Sequence, residues 1–156
     1  MDRPRRKRLP HEVPSWVPDG SFFFITINCQ PPGTNQLCRA GVGDAVLAAA
    51  GYYHSHFKWH CRLMLLMPDH LHAIVFPTQD REAKVGNFSG ALKRWIRTEL
   101  HASWKWQPGC FDRLLRSDES LHEKWLYLQE NPVRAGLVKN SKDWPYRLNL
   151  DDDDQL

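Results

Sequence analysis

Met67-Pro68-Asp69-His70-Leu71-His72-Ala73-Ile74-Val75-Phe76 reads as a turn running into a strand, and the rest of the chain arranges itself around it. The stretch Phe57 to Leu66 before it reads as another strand, so the short Met67-Pro68-Asp69 connection makes an antiparallel hairpin. Side chains two apart on a strand point to one face, so His70 and His72 stand side by side. Paired imidazoles on a rigid strand are the beginning of a divalent-metal site; the plain alternative is two satisfied, partly exposed histidines. His54 and His56 repeat the spacing near the end of an expected helix. There a two-residue step turns through about 200° and sends the rings apart.

Upstream, Phe22-Phe23-Phe24-Ile25-Thr26-Ile27 is aromatic and β-branched and predicts a first strand, broken by Pro31-Pro32-Gly33. A helix is expected from Gly43 to about His56, with Val46, Leu47, Ala50 and Tyr53 as its apolar face. Downstream, Pro77 to Lys84 is polar loop. A second helix from about Asn87 to Ala102 sets Phe88, Leu92, Trp95 and Ile96 on one face, with Lys93, Arg94, Arg97 and His101 largely elsewhere. Trp104 to Leu115 reads as loop, with a short extended piece near Cys110 to Asp112. The last helix begins near Asp118, a good N-cap residue, and ends at Asn131 because Pro132 disfavours helical geometry before it. Leu121, Trp125 and Leu128 fall at core spacing, which turns Tyr127 and Asn131 off the buried stripe and onto a shared face. Strand, helix, hairpin, helix, helix gives an α+β sandwich built on an antiparallel sheet.

A chain of 156 residues fits one compact domain. Its net charge of +3 argues little for nucleic acid by itself, but the charge is segregated. Arg3, Arg5, Arg6, Lys7 and Arg8 crowd the start, while Asp151 to Asp154 close the sequence. The expected organisation is a basic arm over 1–20 that grips nucleic acid, a domain over 21–148 and an acidic tail over 149–156. Four cysteines without a CxxC pair read as reduced thiols in a cytoplasmic protein. No apolar stretch approaches the roughly 20 residues of a membrane span, and no apolar segment follows the basic start as in a secretion signal. Trp104, Trp106 and Phe111 are candidates for stacking on unpaired bases, with core packing as the alternative.

A metal held by paired histidines beside the Tyr127 hydroxyl suggests phosphodiester chemistry through a covalent tyrosine intermediate. Standing alone, Tyr127 also reads as a helix tyrosine at the core edge, and Asn131 as a helix-terminal residue before proline. Four segments add a resemblance. Met67 to Val75 resembles the "MPxHxHxxx" segment of single-tyrosine HUH transposases, and more specifically of bacterial REP-associated tyrosine transposases. Tyr127-Leu128-Gln129-Glu130-Asn131-Pro132-Val133-Arg134-Ala135-Gly136-Leu137-Val138 is similar to that family's "YxxxNPVRAGLV" signature. Leu92-Lys93-Arg94 and Trp106-Gln107-Pro108-Gly109-Cys110-Phe111-Asp112-Arg113 resemble its "LKR" helix and "WQxGxFD" loop. The similarity runs in order from about Phe22 to Trp144. Asp69 stands where many relatives carry asparagine, Cys110 where the place is often aromatic or apolar.

The resemblance implies a ferredoxin-like sandwich, an antiparallel β-sheet with helices packed on one face. It implies a DNA transposase that nicks and rejoins single-stranded DNA, with Tyr127 taking the 5′ phosphate and releasing a 3′ hydroxyl. His70, His72 and Asn131 would hold Mg²⁺ or Mn²⁺, and no nucleotide cofactor is expected, in keeping with the missing P-loop pattern. The expected partner is hairpin-forming repetitive DNA. Arg134 is the favoured phosphate contact, joined by Arg5, Arg6, Lys7 and Arg8 of the arm and by Lys93, Arg94 and Arg97 of the second helix. A monomer is expected over a homodimer, because histidine and tyrosine elements can meet within one layer. Two alternatives stand beside this reading: a domesticated, non-cleaving binder of single-stranded or hairpin nucleic acid, and a hydrolytic metalloenzyme using only the histidines.

Overall fold

The structure, a computed structural model, describes residues 22–56, 59–77, 85–115 and 118–149. The basic arm with Arg5, Arg6, Lys7 and Arg8 and the aspartates of the acidic tail lie outside these residues, as do the side chains of Tyr53, His54 and His56.

Strand β1 spans Phe22–Gln30, helix α1 Val42–His56, strand β2 Trp59–Met67 and strand β3 His70–Pro77. Helix α2 (Val85–Leu100) leads to short strands β4 (Lys105–Trp106) and β5 (Phe111–Leu115). Helix α3 (Asp118–Gln129), a four-residue helix α4 (Asn131–Arg134) and strand β6 (Arg147–Asn149) complete the described elements. β3 lies between β1 and β2, antiparallel to both, and β5 runs antiparallel along the other side of β1. The order β5-β1-β3-β2 with two crossover helices is the βαββαβ, ferredoxin-like arrangement. β4 extends the β1 edge at Cys29 and Gln30, and β6 pairs with β2 at Leu63–Leu65.

Alternation along β1 explains the layers. Phe23, Ile25, Ile27 and Cys29 point to one face, where Val46, Ala49 and Ala50 of α1 and Phe88, Leu92 and Ile96 of α2 bury against them. This is the expected layer of helices on one face. Phe24 points to the other face and joins Leu63, Ile74, Leu115, Leu121 and Leu128 in a smaller cluster under α3. The third helix therefore covers the opposite side of the sheet, which is the side His70 and His72 occupy by the same alternation.

Three local readings change. The segment expected to be mainly loop after Trp104 contains β4 and β5, because the open side of β1 supplies backbone partners for both. α3 stops at Gln129 rather than Asn131; Glu130 is a turn, and Pro132 sits in the first turn of the new helix α4, where its missing N–H costs nothing. β6 has no counterpart in the expected element order.

All four cysteines are buried and none forms a disulfide. Burial pushes the Cys29 and Cys38 thiols up to about 12, so both stay protonated. No helix of the described residues is long and apolar enough to cross a membrane.

Candidate functional site

The hairpin turn places the histidines, and the loop before α1 holds the turn. Gln36 and Leu37 N–H groups donate to the Pro68 carbonyl at 2.8 and 3.0 Å, and Cys29 N–H donates to the Asp69 carbonyl at 2.8 Å. Gly33, whose φ of +83° is open to glycine, donates its N–H to Asp69 Oδ2 at 2.8 Å. Asp69 Oδ1 in turn lies 2.7 Å from His70 Nδ1. Burial by itself would raise the Asp69 carboxyl, but hydrogen bonds from Gly33 and His70 together hold it below its ordinary value. An ionised carboxylate accepts from Nδ1–H, which leaves the lone pair of His70 on Nε2.

His72 is fixed differently. It pairs across the sheet with Thr26, whose Oγ1 is 2.9 Å from His72 Nδ1. Its ring stacks on Phe24 at 5.3 Å and 22°, and meets the His70 ring edge to face at 4.9 Å. Burial, then the neighbouring His70 and Lys124, push His72 down to about 3, so the imidazole is neutral at physiological pH. A neutral imidazole with Nδ1 engaged is what a metal ligand requires.

Tyr127 lies on the same side of the sheet. Leu121, Trp125 and Leu128 turn inward and leave Tyr127 on the outer surface of α3, 55% exposed. Lys124, one helical turn before it, links the two halves: its Nζ sits 4.3 Å from the Phe24 ring centre and 5.3 Å from that of Tyr127. Phe24 is the ring on which His72 stacks, so a relay of ring and cation contacts runs from the histidine pair through Phe24 and Lys124 to Tyr127.

Asn131 and Arg134 complete the tyrosine side. Arg134 lies over the Tyr127 ring at 3.8 Å, and its guanidinium donates to the Tyr127 carbonyl and to Asn131 Oδ1. Asn131 is thus beside Tyr127, but across the break at Glu130 rather than on one unbroken helix face, and its oxygen is engaged by Arg134. Among the described residues no third histidine, cysteine, aspartate or glutamate joins the histidine pair in a metal-binding cluster. The donor set that fits a divalent ion is therefore two Nε2 atoms with oxygen ligands from amide, water or phosphate.

Arg94 and Arg97 are exposed on α2, on the far side of the sheet from the histidines. Lys93 departs from its expected use: its Nζ donates to the carbonyls of Gln107, at 3.0 Å, and Gly109. Burial lowers its pKa, opposed by Cys110. It clamps a loop rather than presenting a free cation. Trp104 and Trp106 are half-buried at the edge of the main core, and Phe111 is exposed.

Sequence reasoning missed Asp69, Thr26 and Lys124. Asp69 reads locally as a turn former. Thr26 carried a usable signal as the one polar residue in an apolar run, and Lys124 as the residue three before Tyr127 on a helix.

No family model matches the chain. A curated protein of Haemophilus influenzae named a REP-associated tyrosine transposase is 27% identical over 143 residues, covering 81% of this chain and 78% of the relative. The REP-associated tyrosine transposase of Escherichia coli K12 is 28% identical over 86 residues, and that match spans about half of each chain (53% and 49%). Among solved structures, a REP-associated tyrosine transposase bound to a REP hairpin superposes with a TM-score of 0.71 at 20% identity, covering 94% of this chain and 82% of that one. A bacterial tRNA(His) guanylyltransferase-like protein in complex with GTP shares the general fold at a TM-score of 0.50 and 10% identity, covering 88% and 73%. The resemblance of this chain to REP-associated tyrosine transposases is thus shown in sequence, and its antiparallel α+β fold in structure.

Proposed function

We propose that this chain, similar in sequence to REP-associated tyrosine transposases and in fold to one bound to its hairpin, is itself a single-strand DNA transposase with Tyr127 as nucleophile. The observation that carries the reading is the relay of contacts that leads from the histidine pair through Phe24 and Lys124 to Tyr127 on one side of the sheet. The likeness to a hairpin-bound relative supports hairpin-forming DNA as substrate.

Tyr127 Oη would attack the scissile phosphorus and lose its proton as the bond to the 3′ oxygen breaks. The products are a 5′-phosphotyrosine link and a 3′ hydroxyl, so the energy of one ester is kept in another and rejoining is the reverse attack. Lys124 and Arg134 flank the phenol with positive charge, which favours the forming phenolate and the charge gathering on phosphate. His70 Nε2, His72 Nε2 and Asn131 Oδ1 would hold Mg²⁺ or Mn²⁺, after the amide oxygen leaves Arg134. Bound there, such an ion would supply Lewis-acid charge at the scissile phosphate.

The test is incubation with a labelled hairpin oligonucleotide carrying single-stranded flanks, with Mn²⁺ or with chelator, followed by denaturing electrophoresis. The wild type should form a covalent adduct with metal and none with chelator, while Tyr127→Phe binds DNA and forms none. Adducts from Tyr127→Phe would remove Tyr127 from the role. Binding without any wild-type adduct would favour the non-cleaving alternative, and free 5′ phosphate ends indifferent to Tyr127 the hydrolytic one.

A further inference from the structure

A groove of about 590 Å³ runs between the exposed side of α2 and residues 102–108. Arg94, Arg97 and Lys105 line it together with Trp104 and Trp106, and no acidic side chain of the described residues does. The two indoles meet edge to face at 4.8 Å and 82°, which fixes each ring against the other.

The groove is braced from both sides. Lys93 ties the loop to α2 through the carbonyls of Gln107 and Gly109. β4 pairs with Cys29 and Gln30, and Gln107 N–H donates to the Asn28 carbonyl at 2.8 Å. Asn28 is the cross-strand partner of His70. The groove therefore opens just around the edge of β1 from the histidine pair, on a rigid scaffold rather than on a free loop.

We propose that this groove binds an unpaired nucleotide of the single-stranded DNA that leads away from the scissile phosphate. Trp104 stacks on the base, and Arg94 and Arg97 pair with the phosphates beside it. A cationic rim with flat aromatic walls matches an anionic chain that carries flat bases, and the volume lies within the range of small-ligand sites. Stacking accepts any base, so the groove adds affinity and holds the strand's path without reading sequence. The origin of the strand rests on the proposed transposase reading; the binding itself does not require Tyr127.

The test is fluorescence anisotropy on the full chain with metal chelated, using one labelled hairpin with unpaired tails and the same hairpin without them. Trp104→Ala should weaken binding of the tailed hairpin by about tenfold while leaving the blunt hairpin within about twofold. Trp104→Phe, which keeps a stacking ring, should recover most of the loss, and Arg97→Glu should weaken the tailed hairpin selectively. In parallel, a tail carrying 5-iododeoxyuridine should photocrosslink wild-type protein within the peptide containing Trp104 and Trp106, a result that needs no variant to fold. Unchanged tailed-hairpin binding by a folded Trp104→Ala, equal losses on both hairpins with no recovery by Trp104→Phe, or crosslinks mapping elsewhere would overturn the proposal. Tail binding through the groove without any Tyr127 adduct would keep this site and sink the transfer reading.

Discussion

Asp69 spends both carboxylate oxygens on one task, taking Gly33 N–H with one and the His70 ring with the other. Outer hydrogen bonds of this kind typically alter metal affinity by about 10- to 100-fold when removed. Asp69→Ala is expected to weaken Mn²⁺ binding by that amount in calorimetric titration, and Asp69→Asn, which keeps an acceptor for Gly33 N–H, by less. Equal losses in the two variants would argue against a role for the carboxylate. His72 predicts a pH effect. Burial, His70 and Lys124 lower it to about 3 in the fold, whereas an unfolded histidine titrates near about 6.5. Below that pH the unfolded chain binds the extra proton. The contribution is complete above about pH 6.5 and shrinks as pH falls toward 3, by up to about 1.4 kcal/mol per pH unit. Urea midpoints of metal-free protein should fall between about pH 7 and about pH 5, and His72→Gln should flatten that slope.

α3 carries the tyrosine on modest anchorage, since among its described side chains only Leu121, Leu128 and part of Trp125 bury beneath it. Leu128, 1% exposed, is the deepest of these. Leu128→Ala should cost about 2–5 kcal/mol in denaturant unfolding, and amide exchange should rise in α3 before α1 or α2. Exchange rising uniformly across the sheet instead would mean that the helix has no separate stability. The same helix shows what the sequence could and could not reveal. Period and spacing were enough for its inward stripe and for the outward Tyr127. The stop at Gln129 was not, because proline is compatible both with ending a helix and with starting the next. In the strands, two-residue periodicity set His70 beside His72, whereas the Thr26 contact needed the β1–β3 register. Lys93 looked like one more cation on a solvated face; its loop carbonyls lie 14 and 16 residues away in the chain. β4, two residues long, and β6, three residues long, are too short to show periodicity at all.

At the scale of the molecule, the two faces of the sheet divide the labour: α1 and α2 bury the main core on one, and the other carries histidines, tyrosine and their flanking cations. β6 and the residue before it close the β2 side. Leu63–Leu65 pair with Arg147–Asn149, Leu66 N–H donates to the Tyr146 carbonyl at 2.8 Å, and Tyr146 lies so close to Gly43 that a methyl group there would collide with its ring. A bare sheet margin is a template on which another polypeptide can add a strand. Shortening the chain before Tyr146 would uncover the amides and carbonyls of β2, and light scattering should then report concentration-dependent clumping that the intact protein lacks. The three-residue β6 would thus act as a selvedge, keeping copies of the molecule from knitting together edge to edge.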